Sequence, residues 1–293
     1  MSDTFFTASP HWTWFIIPYF FVGGIAGGAF FLATALEWFG RPEDRPVIRT
    51  GYSTAFWGAI ISGALLTIDL GKPLRFWHML FQSDNFPHLA FKSWSPISFG
   101  AWALLLFGLC ALLAYVGAWS GSPLAKLIAG LGGLLGLFVA GYTGVLLTVT
   151  NRPIWAESPL LGALFLASGA STAAATLSLL SPRRGATAGS LAWLESFDTR
   201  ALIFELIILV VFVAWLWPIR QVWLSVWGLL LLIGVVGAGI LWPLLLRARP
   251  SGTGGGMLRN AAAMVLIGGF LLRVVILLAS NGIQHQMVTA IGR

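Results

Sequence analysis

Eight apolar runs of about 20 residues, each long enough to cross roughly 30 Å of hydrocarbon as a helix, punctuate this chain of 293 residues. They lie near 14–38, 50–70, 97–119, 124–149, 158–180, 199–219, 223–246 and 259–279. Inside a bilayer the backbone has no water to bond, so its N–H and C=O groups must be satisfied within the segment, which for runs of this length means helix. The expected fold class is an all-α integral membrane protein with eight transmembrane helices. Charged residues make up 9% of the chain and hydrophobic residues 58%, whereas soluble domains carry roughly 25% charged residues. Such a surface suits a bilayer and not water.

A net charge of +7 would point to nucleic acid in a soluble protein. Here the Arg and Lys sit in short loops between apolar runs, where they act as topology signals, and no nucleic-acid partner is expected. The loops after runs one, three, five and seven hold ten of them: Arg41, Arg45, Arg49, Lys126, Arg183, Arg184, Arg200, Arg247, Arg249 and Arg259. The opposite side holds seven: Lys72, Arg75, Lys92, Arg152, Arg220, Arg273 and Arg293. The richer side is expected in the cytoplasm, which puts both termini on the outer side. The first run is as long as a full span and has no basic leader, so no cleavable signal peptide is expected.

The chain leaves its fourth run through Gly141-Tyr142-Thr143-Gly144 and then Asn151-Arg152-Pro153-Ile154-Trp155. A buried phenol without a partner costs about 1–3 kcal/mol, so something polar must meet Tyr142. The flanking glycines permit close approach by a neighbouring helix or by a flat ligand. In the first run Gly23/Gly27 and Gly24/Gly28 form two small stripes suited to helix packing.

Counted from the outer ends at about 1.5 Å per residue, Tyr19, Tyr142 and Arg273 share a depth of roughly 8–12 Å, with Asp69 just above them. Ionisable groups within spans are functional candidates, and this set describes a pocket facing the outer leaflet. The structural alternative is that Arg273 pairs with Asp69 or snorkels. Glu37 and Glu205 near the inner span ends, and the Ser168, Thr172 and Thr176 seam, are candidates for a proton path; pairing with loop arginines and ordinary helix hydrogen bonds explain them equally well.

A b-type haem needs histidines inside facing spans. His11, His78, His88 and His285 all fall outside the predicted spans, and Cys110 is the one cysteine, so neither haem nor an iron–sulfur cluster is expected in this chain. The longest loop, 71–96, carries Lys72, Arg75, His78, His88 and Lys92 and is the expected partner-docking surface.

His11-Trp12-Thr13, Gly24-Ile25-Ala26-Gly27-Gly28, Ser95-Pro96-Ile97, Tyr142-Thr143-Gly144 and the Asn151–Trp155 exit together resemble the NrfD/PsrC family, the quinone-binding membrane subunits of polysulfide reductase and related molybdoenzymes. The resemblance covers nearly the whole chain. It implies two four-helix bundles, 1–156 with the quinone pocket and 157–293, in a prokaryotic cytoplasmic membrane. It also implies exchangeable menaquinone or ubiquinone, no resident cofactor, a four-cluster ferredoxin-like iron–sulfur partner and a molybdopterin catalytic subunit. Tyr142 matches the family's quinone-contacting tyrosine, and Tyr19, Asp69, Arg273, Asn151 and Arg152 complete the candidate quinone-binding set. One departure stands out: the polysulfide reductase subunit has an Asn and a His early in span one, where this chain has apolar residues and Tyr19. Competing classes are a secondary transporter or proton channel and a structural anchor with a degenerate site. Transporters place polar groups at the midplane on broken helices, and here they crowd one face.

Overall fold

The computed structural model describes residues 14–82, 88–117, 122–152, 154–248 and 255–291, without the side chains of 255 and 281–291. His11-Trp12-Thr13, Pro153, residues 249–254 and the His285 side chain therefore lie outside the described set. Long helices run as α1 Ile16–Phe39, α2 Arg45–Asp69, α3 Pro96–Gly117, α4 Pro123–Thr148, α5 Leu161–Leu180, α6 Ala188–Trp215, α7 Val226–Arg247 and α8 Gly255–Ile291. Apart from short 3-10 turns, the other regular feature among the described residues is one antiparallel bridge, Phe81 with Leu89. Among the described residues seven helices are long and apolar enough to cross a membrane. The remaining one, α6, has the length but carries Asp198, Arg200 and Glu205 along its apolar half.

Local chemistry sets most of the boundaries. Pro96 and Pro123 open α3 and α4, where a missing N–H costs nothing, and Ser122 caps α4 by accepting from the Ala125 N–H at 3.2 Å. Helix α6 begins at Ala188, well before the predicted 199, because Thr187 Oγ1 accepts from the Ser190 N–H at 3.2 Å. A polar stretch that reads as loop by hydropathy is thus its capped first turns. Within α7, Leu230–Leu241 winds as π-helix, an uncommon geometry.

Helices α1 and α5 form the interior. Buried residues fill 72% of the span in α1 and 61% in α5, against 33% in α2, α3 and α7. Helix α1 packs on α2, α4, α5 and α8, and α5 packs on α1, α4, α6 and α8. Lipid tails are as apolar as leucine, so close packing and not hydrophobicity selects which face turns inward. The small stripes in α1 do this: a side chain at Gly27 would fall 2.2 Å from the Gly136 carbonyl of α4.

The loop between α2 and α3 is not free. It forms a 3-10 turn over Pro73–Met79 and returns through the Phe81–Leu89 bridge. It is then pinned to α3, because the carbonyl of Ala90 accepts from Ser98 Oγ at 3.3 Å and from Trp102 Nε1 at 3.5 Å.

Candidate functional site

Tyr142 leans from α4 onto the first turn of α3. Its hydroxyl donates to the Pro96 carbonyl, and its ring fills the space above Gly100, where a side chain would fall 2.4 Å from the ring. The polar partner demanded by a buried phenol is thus a backbone carbonyl. The flanking glycine serves a helix: a side chain at Gly144 would come within 2.2 Å of the Leu161 carbonyl of α5.

Tyr142 also ends a ladder of rings. It stacks on Phe138 at 5.2 Å, Phe138 meets Phe99 at 5.6 Å, and Phe99 meets Phe91 of the outer loop at 5.9 Å. Tyr142 is only 8% exposed, while Phe99 and Phe138 are 44% and 36% exposed, so the ladder runs from the bilayer-facing side of α3 and α4 inward to the phenol. Across α3, a groove of about 510 Å³ lies between α2 and α3 under Phe76, Met79 and Leu80; Thr67 is the polar residue on a wall that is otherwise apolar. Tyr19 is buried beside Phe20. Asp69, half-buried, is the last residue of α2.

Arg273 is fully buried. Its Nε donates to the Phe20 carbonyl at 3.2 Å, and its Nη1 donates to the Gly269 carbonyl at 2.7 Å and to Ser168 Oγ at 3.1 Å. The rings of Phe165 and Phe21 lie 5.2 and 5.5 Å from its guanidinium carbon. Nη2 has no hydrogen-bond partner among the described residues and faces Gly24. Asp69 is not among these contacts. Through α5 the arginine reaches Glu205, since Ser171 Oγ donates to Glu205 Oε2 at 3.0 Å. Arg273, Ser168, Ser171 and Glu205 therefore form one buried polar cluster where α1, α5, α6 and α8 meet.

The rest of the hydroxyl seam is local. Thr172 Oγ1 donates to the Ser168 carbonyl at 2.7 Å and Thr176 Oγ1 to the Thr172 carbonyl at 2.7 Å, so both hydroxyls are committed to their own helix. Glu37 accepts from the Tyr52 hydroxyl beside a cavity of about 140 Å³ that reaches Ser122. Lys72, Arg75, His88 and Lys92 are exposed on the loop between α2 and α3, and His78 packs edge-on against Trp77 at 3.8 Å. Among the described residues no three His, Cys, Asp or Glu side chains converge as metal ligands do, and Cys110 is buried in α3.

Sequence reasoning missed Ser171, Tyr52, the ring ladder and a buried ion pair, Asp198 with Arg247. A signal existed for part of this: Asp198 and Glu205 stand seven apart and share the buried face of α6.

A family model described as Polysulphide reductase, NrfD matches residues 3–283. The chain belongs to the NrfD family. This NrfD protein is 27% identical over 304 aligned residues to the C component of polysulfide reductase from Wolinella succinogenes, with 92% of the present sequence and 94% of that relative covered. A local match, 30% identical over 80 residues, relates 27% of the present sequence to 19% of the C component of selenate reductase from Mesobacillus selenatarsenatis.

In this NrfD protein Arg152, Ile154 and Trp155 of the Asn-Arg-Pro-Ile-Trp exit form a structural lock. Trp155 is buried and donates from Nε1 to the Ile276 carbonyl at 2.8 Å, less than one turn beyond Arg273 in α8. Arg152, itself buried, lies over the Trp155 ring at 4.9 Å, and Asn151 is exposed. Burial lowers the Arg152 pKa from its ordinary value by desolvation. Ile154 holds φ at 73°, a conformation that a β-branched residue adopts only under constraint, and its side chain is fully buried. The segment ties the end of α4 to the helix that carries the buried guanidinium.

Proposed function

We propose that this protein is the quinone-reactive membrane anchor of a multi-subunit reductase, exchanging electrons between membrane quinone and a four-cluster ferredoxin-like iron–sulfur subunit. That subunit in turn serves a molybdopterin catalytic subunit. The relatives are named as components of polysulfide and selenate reductases, which supports a membrane subunit that works with catalytic partners. The observation that carries the quinone reading is the ladder of rings that ends at the Tyr142 hydroxyl.

A quinone offers a flat ring, two oxygens and an apolar tail. Phe99 and Phe138 supply stacking faces open to the bilayer. Because the Tyr142 hydroxyl commits its proton to the Pro96 carbonyl, its oxygen can act only as an acceptor, which suits the O–H of a quinol. With a quinone the phenol must turn from Pro96 to donate. The quinone carries the redox chemistry, while the protein binds, orients and admits protons. Tyr19, Asp69, Asn151, Arg152 and the unpartnered Nη2 of Arg273 are the further polar groups assigned to this region.

Glu205, linked to Arg273 through Ser171 and Ser168, and Glu37 with Tyr52 are the proposed inner-side proton access points. Thr172 and Thr176, whose hydroxyls donate within their own helix, stay candidates along the same seam. We further propose eight crossings, α6 included, in two bundles of four, in the cytoplasmic membrane with termini outside. Closed packing of α1–α4 on one another supports the first bundle. The loop that presents Lys72, Arg75, His78, His88 and Lys92 is the proposed docking face for the iron–sulfur subunit.

The test is extraction of bound quinone from the purified complex together with a quinone difference spectrum. The reading predicts retained menaquinone or ubiquinone that is reduced or oxidised by substrate of the catalytic subunit. A complex that retains none, and that turns over with dye but not with quinol, sinks it.

A further inference from the structure

On the face opposite the outer loop, the first turn of α2 and the end of α5 come together around a cavity of about 770 Å³ that is lined by Arg45, Arg49 and Arg184. Arg184 also lines a second cavity, of about 430 Å³, which Arg183 borders as well and which runs along α1 and α2. The two share a polar mouth: Arg184 Nη1 donates to the Arg49 carbonyl at 3.1 Å and its Nη2 to Ser53 Oγ at 3.3 Å, which fixes the guanidinium at the junction. Arginines outnumber the carboxylates around the two cavities: Arg41, Arg45, Arg49, Arg183 and Arg184 stand against Glu43 and Asp44. Glu43 on the rim pairs with Arg41 at 3.6 Å, and Asp44 is buried, accepting from Ser190 Oγ and from the Arg41 N–H.

Away from the mouth the second cavity is apolar, walled by Val22, Ile25, Trp57, Ile61 and Leu180. Trp57 and Ile61 are half-exposed, so the wall opens toward the bilayer. From Thr50 at the mouth to Ile61 the groove follows α2 for about 16 Å at 1.5 Å per residue, about half of the roughly 30 Å hydrocarbon thickness. A groove one leaflet deep with arginines at its headgroup end has the shape and charge of a single lipid.

We propose that this face binds an anionic phospholipid, with its phosphodiester held by Arg45, Arg49, Arg183 and Arg184 and an acyl tail lying along Trp57 and Ile61. Guanidinium groups suit phosphate because two parallel N–H donors match its oxygens, and their stems can lie along apolar surface. The site is independent of the quinone assignment. It gives the protein an annular lipid fixed across α1, α2 and the end of α5.

The experiment is native mass spectrometry of the purified complex, titrated with phosphatidylglycerol and with phosphatidylcholine of the same acyl composition. The proposal predicts that phosphatidylglycerol persists under activation that strips phosphatidylcholine. The exposed pair Arg45→Gln/Arg183→Gln leaves the Arg184 hydrogen bonds in place and should weaken retention by about fivefold per arginine. Thr54→Phe, which narrows the groove and keeps every charge, should also release the lipid. Equal retention of both lipids means a greasy groove without headgroup recognition and overturns the proposal, as does unchanged retention in the arginine pair. Displacement of phosphatidylglycerol by sn-glycerol 3-phosphate at equal concentration would make this a phosphate site and not a lipid site, and would overturn it too.

Discussion

Arg273 Nη1 and Ser168 Oγ meet at 3.1 Å in an interior closed to solvent, and one turn along the same helix Ser171 donates to Glu205. A guanidinium and a carboxyl group are thus joined across α5 by hydroxyls and not by direct contact. Removing one partner of a buried charge pair costs about 3–5 kcal/mol, because the other is left uncompensated. Arg273→Met alone should therefore melt the complex at a clearly lower temperature, and Arg273→Met with Glu205→Gln should recover part of the loss. Thermal melts of the four members of this cycle measure the coupling. Strict additivity would mean the two charges do not sense one another.

Close helix approach rests on a few glycines. Gly27→Ala pushes a methyl group into the Gly136 carbonyl and should destabilise the fold by about 1–3 kcal/mol. Gly63, with nothing within 4 Å of the added carbon, should accept Ala or gain about 0.5–1 kcal/mol in helix stability. Expression and melting of the two variants side by side check the packing. The same loss in both would remove the distinction.

How much of this was legible beforehand follows from the physics of each signal. The positions of seven spans and the small stripes of α1 were readable, because hydropathy and glycine act locally. The early start of α6 was hidden in a polar stretch that only the Thr187 cap reveals as helix. Tyr142, Tyr19, Arg273 and Glu205 were nameable because polar groups in apolar runs are rare. Their partners were not, because sequence separation says nothing about which helix lies alongside: Tyr142 meets Pro96, and Arg273 meets Phe20 and Ser168. Spacing placed Thr172 and Thr176 on one face but did not show the carbonyls to which their hydroxyls donate.

The outer loop carries exposed charges beside exposed rings, including Trp94 at 80%. Lys72→Glu with Arg75→Glu should loosen the iron–sulfur subunit by about 2- to 5-fold per charge, with a loss that deepens as salt falls because like charges then repel further. Co-purification of the partner at low and high salt measures it. Partner loss from Arg183→Glu with Arg184→Glu, and none from the outer pair, would move docking to the opposite face.

Tyr142→Phe in the intact complex tests the central claim most directly. The ring stays above Gly100 and against Phe138, so assembly and dye-linked turnover of the partner subunits should match wild type. The hydroxyl alone is lost, and one neutral hydrogen bond of about 0.5–1.5 kcal/mol corresponds to an about 2- to 12-fold fall in quinone- or quinol-linked turnover at limiting substrate. A fall in that range, absent from the dye assay, is the predicted result. Wild-type quinone and quinol kinetics in Tyr142→Phe would show that the phenol only braces Pro96, and would contradict its place in a quinone site.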